Sequence, residues 1–210
     1  MKIAIIGAGN VGGALAGSIV RAGHDVTVSS RDLAKARTVA EAAGGRAAAT
    51  NRDAVRDADV VVLAVPYGAL ADVVDELGDG LTGKIVIDAT NPLRADYQGL
   101  AIEGISAAEQ VQARAKGAKV VKAFNTAFAS RQADPRIDGV QADGFVAADD
   151  EPAKATVLEL VGAIGFRPID AGPLEAARAL EALAFLNISL QLRNNGAWQT
   201  AWKLVGPLSV

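Results

Sequence analysis

The chain has 210 residues, half of them hydrophobic and 21% charged, which is ample apolar material for a packed core and excludes wholesale disorder. Its 21 basic and 24 acidic side chains leave a net charge of −3, so no broad basic face for nucleic acid is expected. There is no cysteine and a single histidine, His24, which excludes disulfide frameworks, thiolate metal sites and cysteine nucleophiles.

Lys2 to Ile6 (KIAII) is a short apolar run ending at glycine, as a buried strand does. Asn10 to Ala22 carries Val11, Leu15, Ile19 and Val20 at helical spacing, and Gly23 closes the helix. Asp25 to Ser29 is a second strand. Asp32 caps a helix through Ala43, with Gly44 and Gly45 behind it. Arg46 to Ala49 is a short third strand and Asn51 to Asp57 a short helix or turn. Asp59 to Val65 (DVVVLAV) does not alternate, which implies burial on both faces, as in a parallel sheet. Pro66 starts a helix that ends near Gly78, and Lys84 to Asp88 is the fifth strand. A helix from Ser106 to Ala115 precedes a strand from Lys119 to Ala123. Gly144 to Ala147, Glu151 to Ile164 and Arg167 to Ile169 read as strand, helix and strand. Pro173 opens a long helix to Leu192 that is apolar nearly all round, hence buried in the core or against another subunit.

The alternation predicts an α/β doubly wound parallel sheet. We expect one domain over 1–210, with 173–210 a C-terminal helical extension. No apolar stretch approaches the roughly 18 residues that span a bilayer. Glycines interrupt the N-terminal run too often for a signal peptide, so a soluble, cytoplasmic chain with no membrane partner is expected.

One motif carries chemistry. Gly7-Ala8-Gly9-Asn10-Val11-Gly12 is G-x-G-x-x-G, directly after a strand and opening a helix. That context is the fingerprint of an NAD(P)-binding Rossmann fold. Gly7 permits the turn, Gly9 lets the pyrophosphate approach the backbone, and Gly12 lets helix and strand pack closely. The free N–H groups of the helix start then face the phosphates. The second strand ends Ser29-Ser30-Arg31 with no carboxylate for a ribose diol, and Asp32 is used as a cap. Ser30, Arg31 and Lys35 suit a 2′-phosphate, so NADP(H) is expected over NAD. Later strand ends add Ala64, Val65 and Pro66 beside the nucleotide. Asn91, Asn125 and Thr126 are placed to orient a ring edge, although Asn91-Pro92 is also an ordinary turn signal. No catalytic acid or base and no metal ligand set is evident. His24 reads as structural. Trp198 and Trp202 are four apart, which would put them on one helical face for core or interface packing.

These segments resemble the NADPH-dependent coenzyme F420 reductases. The likeness covers nearly the whole chain: IGAGNVG at the start, SSRDLAK after the second strand, AVPYGAL after the fourth, FVAADDEPAK from Phe145, and GFRPIDAGPLEAARALEALAFLNI from Gly165. VVKAFNT, from Val120 to Thr126, is also similar to the cytosolic NADPH-flavin domain of the six-transmembrane ferric reductases. The resemblance implies hydride transfer between NADPH and a small-molecule redox acceptor: coenzyme F420, or a flavin (FAD or FMN). F420 reductases are expected to carry a histidine just after the sixth strand, where this chain has Asn125. The acceptor therefore stays open between deazaflavin and flavin. A non-catalytic NADPH-binding module and a small-substrate NADP dehydrogenase are the competing readings. The long apolar helix leads us to expect a homodimer, unless the segment from Asn194 to Val210 folds back over it.

Overall fold

The computed structural model describes residues 1–206. Its first half is β1 (Lys2–Ile6), α1 (Asn10–Arg21), β2 (Asp25–Ser29), α2 (Leu33–Ala43), β3 (Arg46–Ala47), α3 (Asn51–Val55), β4 (Val60–Leu63), α4 (Tyr67–Leu77) and β5 (Ile85–Asp88). Then come α5 (Ala107–Arg114), β6 (Lys119–Ala123), α6 (Ala129–Ala133), β7 (Arg136–Ile137), β8 (Val140–Gln141), β9 (Asp143–Ala148), α7 (Glu151–Ala163), β10 (Arg167–Gly172) and α8 (Ala177–Arg193).

The pleat divides the core. Ile3 and Ile5 pack with α1, α2 and α7 on one face of the sheet, whereas Ala4 and Ile6 pack with α3, α4 and α5 on the other. All four residues of β4 are buried, each stabilising the fold by roughly 1.5–3 kcal/mol. Asp32 caps α2 by accepting from the Lys35 N–H at 3.1 Å, and Gly44 ends it in the left-handed region. Ser106 and Glu109 form a capping box at α5.

The eight-stranded sheet has the order β10-β9-β6-β5-β4-β1-β2-β3. From β3 to β6 every pairing is parallel, and the strand order reverses between β1 and β4. One pairing departs from the parallel expectation: β9 runs antiparallel to β6, and β10 is parallel to β9. The connection after β6 never crosses back over the sheet. It forms α6 and the β7–β8 hairpin at the carboxyl edge and re-enters from there, so β9 points the other way. Neither α6 nor the hairpin was expected from the sequence, since two-residue strands are too short for a periodicity to register.

The last helix also differs. A 3-10 turn (Leu174–Ala176) precedes α8. Its buried face is Ala177, Leu180, Glu181, Ala184, Asn187, Ile188 and Gln191, at i, i+3, i+4 spacing and including three polar residues. Leu186, Leu190 and Leu192 are exposed, so the helix is not buried all round as its apolar sequence suggests. The following segment is not a helix, and Trp198 lies at φ 56°. It folds back instead. Gln191 Nε2 donates to Thr200 Oγ1 at 2.9 Å, and Thr200 Oγ1 donates to Asn187 Oδ1 at 2.6 Å. Farther on, the buried Asp143 carboxylate takes both arms of Arg167 at 2.7 Å, Lys203 Nζ at 3.0 Å and the Leu204 N–H at 2.6 Å. Burial alone would raise the Asp143 carboxyl, but these donors, Arg167 foremost, hold it below the ordinary aspartate value. The fold-back of Asn194–Val210 over the last helix, expected as the alternative to a homodimer, is thus seen as far as Leu204, but it leaves Leu186 and Leu190 exposed; residues 207–210 lie outside the described residues.

Candidate functional site

Two cavities flank the loop between β1 and α1 at the carboxyl edge. The first, about 610 Å³, runs over Gly7, Ala8 and Gly9 to Ser30, Arg31 and Lys35 on one side and Ala64, Val65 and Pro66 on the other. The glycines explain its shape. Gly7 lies at φ 120°, and a Cβ there would sit 2.2 Å from the Ala64 carbonyl oxygen. A Cβ on Gly12 would sit 1.9 Å from the Gly7 carbonyl oxygen, so α1 packs on the turn only because Gly12 lacks one. Gly9 differs: nothing lies within 4 Å of its Cβ position. The space above it is open in the protein itself and suits a ligand that approaches the backbone. Asn10, Val11 and Gly12 begin α1, where N–H groups lack intrahelical acceptors and the dipole is positive.

The far rim is cationic. Among the described residues Arg31 and Lys35 enter no salt bridge. Asp32, the one carboxylate there, is held by the α2 cap and by its backbone contact with Ser30. A guanidinium and an ammonium facing one cavity are complementary to a phosphate monoester; the Ser30 hydroxyl beside them donates to the Asp32 carbonyl. The sequence reading missed Asn51, which also lines this cavity. Ser29 Oγ donates to its Oδ1 at 2.8 Å, and its Nδ2 donates to Glu76 at 2.9 Å.

The second cavity, about 780 Å³, begins at Asn10 and Val11 and extends over the ends of β5 and β6 to α8 and the tail. Asn91, Asn125 and Thr126 all line it. The two asparagines are clamped together: Asn91 Nδ2 donates to the Asn125 carbonyl at 2.9 Å, and Asn125 Nδ2 donates to Asn91 Oδ1 at 2.9 Å and to the Leu180 carbonyl at 3.1 Å. The Leu180 carbonyl can only accept, which fixes the orientation of the Asn125 amide. Its Oδ1 is left buried without a partner, an arrangement that favours a ligand N–H. Gln132, missed by the sequence reading, behaves alike. Its Nε2 donates to the Phe124 and Ala127 carbonyls at 3.0 Å, and its Oε1 is unpartnered. These bonds hold Phe124 at φ 65°, a costly conformation for a bulky buried residue at the end of β6. Trp198 meets Phe128 edge-on, with centroids 5.3 Å apart, and closes the outer wall.

Beneath this floor lies a fully buried ammonium. Lys122 Nζ donates to Asp88 Oδ2 at 2.8 Å, to Glu181 Oε1 at 2.7 Å and to the Thr90 carbonyl at 2.7 Å. Burial pushes the Glu181 carboxyl up, and Lys122 opposes that rise. The only sequence signal was a lysine inside the apolar strand KVVKA. His24 lies elsewhere, with Nδ1 3.2 Å from the amino terminus. Burial and that positive charge lower its pKa. Among the described residues no cluster of His, Cys, Asp and Glu could hold a metal ion, and no helix is long and apolar enough to cross a membrane.

Residues 2–92 match the family described as NADP oxidoreductase, coenzyme F420-dependent. The F420-dependent NADP reductase of Methanothermobacter thermautotrophicus is 38% identical, over 92% of this chain and 90% of its own. A solved structure from Arthrobacter sp. FB24, provisionally named an F420-dependent NADP-reductase, superposes with a TM-score of 0.86 at 31% identity, covering 97% of this chain and 99% of that one. The metalloreductase STEAP3 of Rattus norvegicus is 33% identical over 87% of this chain, which spans only 36% of that protein.

The glycine geometry separates two variants. Gly9→Ala should fold normally, with an unchanged thermal midpoint, yet bind dinucleotide at least about tenfold more weakly. Gly12→Ala should lower the midpoint itself, because its Cβ meets backbone. Thermal melts and calorimetric titration check both; a Gly9→Ala protein with undiminished affinity would remove the pyrophosphate from this loop.

Proposed function

Because the chain belongs to the family of coenzyme F420-dependent NADP oxidoreductases, we propose that it transfers a hydride between NADPH and a deazaflavin acceptor of the coenzyme F420 kind. The observation that carries this reading is the pair of cavities on either side of one glycine loop. One is cationic at its rim, and the other is apolar with carboxamides in its floor.

In this reading NADPH supplies the hydride, and the protein supplies position and dryness. The α1 start and the bare backbone of Gly9 hold the pyrophosphate. Ser30, Arg31 and Lys35 hold the 2′-phosphate, while Ala8, Ala64, Val65 and Pro66 leave room for the ribose. Asn91 and Asn125 orient the ring edges, with Asn125 Oδ1 accepting from a carboxamide or ring N–H and Thr126 beside it. No carboxylate or imidazole lines the second cavity, which agrees with a transfer that needs no protein acid or base between the two rings. Phe128, Trp198 and the returning tail exclude water. A flavin, FAD or FMN, would present a ring edge of the same kind to these residues.

We further propose that residues 1–210 act as one NADP-binding domain with 173–210 as its helical extension, in the cytoplasm and with no nucleic-acid partner. Leu186 and Leu190, exposed one turn apart on α8, support a homodimer through that helix. Sedimentation velocity at micromolar concentration should report twice the 21.4 kDa chain mass, and a monomer refutes the dimer.

Arg31→Ala should weaken NADPH roughly 30-fold and NADH hardly at all, since a charge-assisted pair with the 2′-phosphate is worth about 2 kcal/mol. Equal binding of both nucleotides by the unaltered protein would refute NADP selectivity. Stopped-flow mixing of NADPH-loaded protein with oxidised F420, and separately with FMN, tests the reaction itself. Asn125→Ala should slow turnover at saturation about tenfold with NADPH affinity intact. Lost NADPH binding with unchanged saturated turnover would put Asn125 in the nucleotide site instead.

A further inference from the structure

The function proposed above leaves one group unused, the buried cluster beneath the second cavity. We propose that Asp88, Lys122 and Glu181 together set a net negative charge under the nicotinamide position, which favours the oxidised, cationic ring over the reduced, neutral one. The inference rests on the proposed function, because it needs the nicotinamide to enter that cavity.

Two carboxylates face one ammonium, and all three side chains are at most 1% exposed; burial raises the Glu181 carboxyl, and the contact with Lys122 at 2.7 Å opposes that rise and favours the ionised form on which the net negative charge rests. Each proton of Lys122 Nζ has an acceptor, two of them charged and the third the Thr90 carbonyl. Asp88 Oδ1 also accepts from the Thr90 N–H at 2.9 Å, and Glu181 Oε1 from the Ala107 N–H at 3.0 Å. Water and salt do not reach this charge, so it is screened far less than a surface carboxylate. Its place is fixed relative to the cavity. Asp88 immediately precedes Ala89, and the clamped Thr90 peptide precedes Asn91, both in the cavity lining. No carboxylate, ammonium or guanidinium lines that cavity itself, so nothing nearer masks the cluster. The amide end of α5 beside Glu181 contributes an opposing partial charge, but a change confined to the carboxylate leaves it in place.

A nicotinamide ring becomes positively charged on giving up its hydride. A fixed negative charge beneath it lowers the energy of that state without any motion of the protein, and acts as the charge develops. Asp88 and Glu181 are positioning residues in this sense: they work through space and touch no ligand. Lys122 keeps the pair foldable, since two adjacent carboxylates without it would both be buried unpaired.

The test is equilibrium binding. Calorimetric titrations with NADP+ and with NADPH are compared for the unaltered full chain, Glu181→Gln and, as a control, Glu159→Gln on the exposed side of α7. Glutamine keeps the oxygen that accepts from Lys122 and Ala107, removes the charge and places an amide NH2 where Oε2 stood. Glu181→Gln should weaken NADP+ about tenfold relative to NADPH, the size expected for one charge acting over roughly 10 Å of protein. The control should leave the ratio unchanged. If Glu181→Gln does not fold, Asp88→Asn decides by the same ratio. An unchanged ratio in the folded variant, or equal weakening of both nucleotides as a structural role would give, overturns the inference. Failure of the unaltered chain to bind either nucleotide overturns the proposed function instead.

Discussion

An ammonium buried at 0% exposure must find an acceptor for each of its three protons, and this requirement at Lys122 organises the carboxyl edge of the sheet. The acceptors come from three places: the end of β5, the turn after it, and α8 about sixty residues later in the chain. Satisfying them fixes α8 against β5 and β6. It also brings the Leu180 carbonyl to where the Asn125 amide can donate to it. The clamp of Asn91 and Asn125 thus sits on an ionic base. Breaking one partner of a fully buried set costs roughly 3–5 kcal/mol, so the floor of the second cavity has little freedom to drift.

At the other side of the loop the constraint is steric. Gly7 passes the Ala64 backbone, and Gly12 passes Gly7, at distances that leave no room for a β-carbon. Those approaches set the height of α1 above the sheet and direct its N-terminus along the carboxyl edge. Gly9 is under no such pressure: nothing lies within 4 Å of where its β-carbon would be. The two constraints meet at Asn10 and Val11, where one cavity gives way to the other. On the proposed reading a dinucleotide crossing the loop there would carry its nicotinamide from the first cavity into the second, where the acceptor would meet it.

The antiparallel return through α6 and β7–β8 has a functional consequence as well as a topological one. Because that connection stays at the carboxyl edge, it delivers Phe128 and Gln132 to the cavity rim. The tail, fastened to Asp143 on β9, brings Trp198 to the same rim. A purely parallel continuation would carry this segment to the opposite edge and leave the cavity open to water.

Local chemistry determined what the sequence disclosed by itself. Five apolar residues before a glycine-rich turn, the unalternating VVVL of β4 and the Asp32 cap are signals carried by adjacent residues. They located β1, α1, α2, β4 and the fingerprint with its Ser30, Arg31 and Lys35 rim. The buried face of α8 was not legible in that way. Five leucines, Ile188 and Phe185 suggest an all-round apolar helix, yet Glu181, Asn187 and Gln191 are buried while Leu186 and Leu190 are not. A glutamate in a helix reads as solvated unless something distant neutralises it. Here that something is Lys122, 59 residues away in the chain. The non-helical course of the tail is not legible for a similar reason, because its partners Asp143 and Ser130 lie more than 60 positions upstream. Which polar groups are buried is decided by partners that only the tertiary structure brings together, since burial free energy depends on the completed set of hydrogen bonds and not on the residue that begins it.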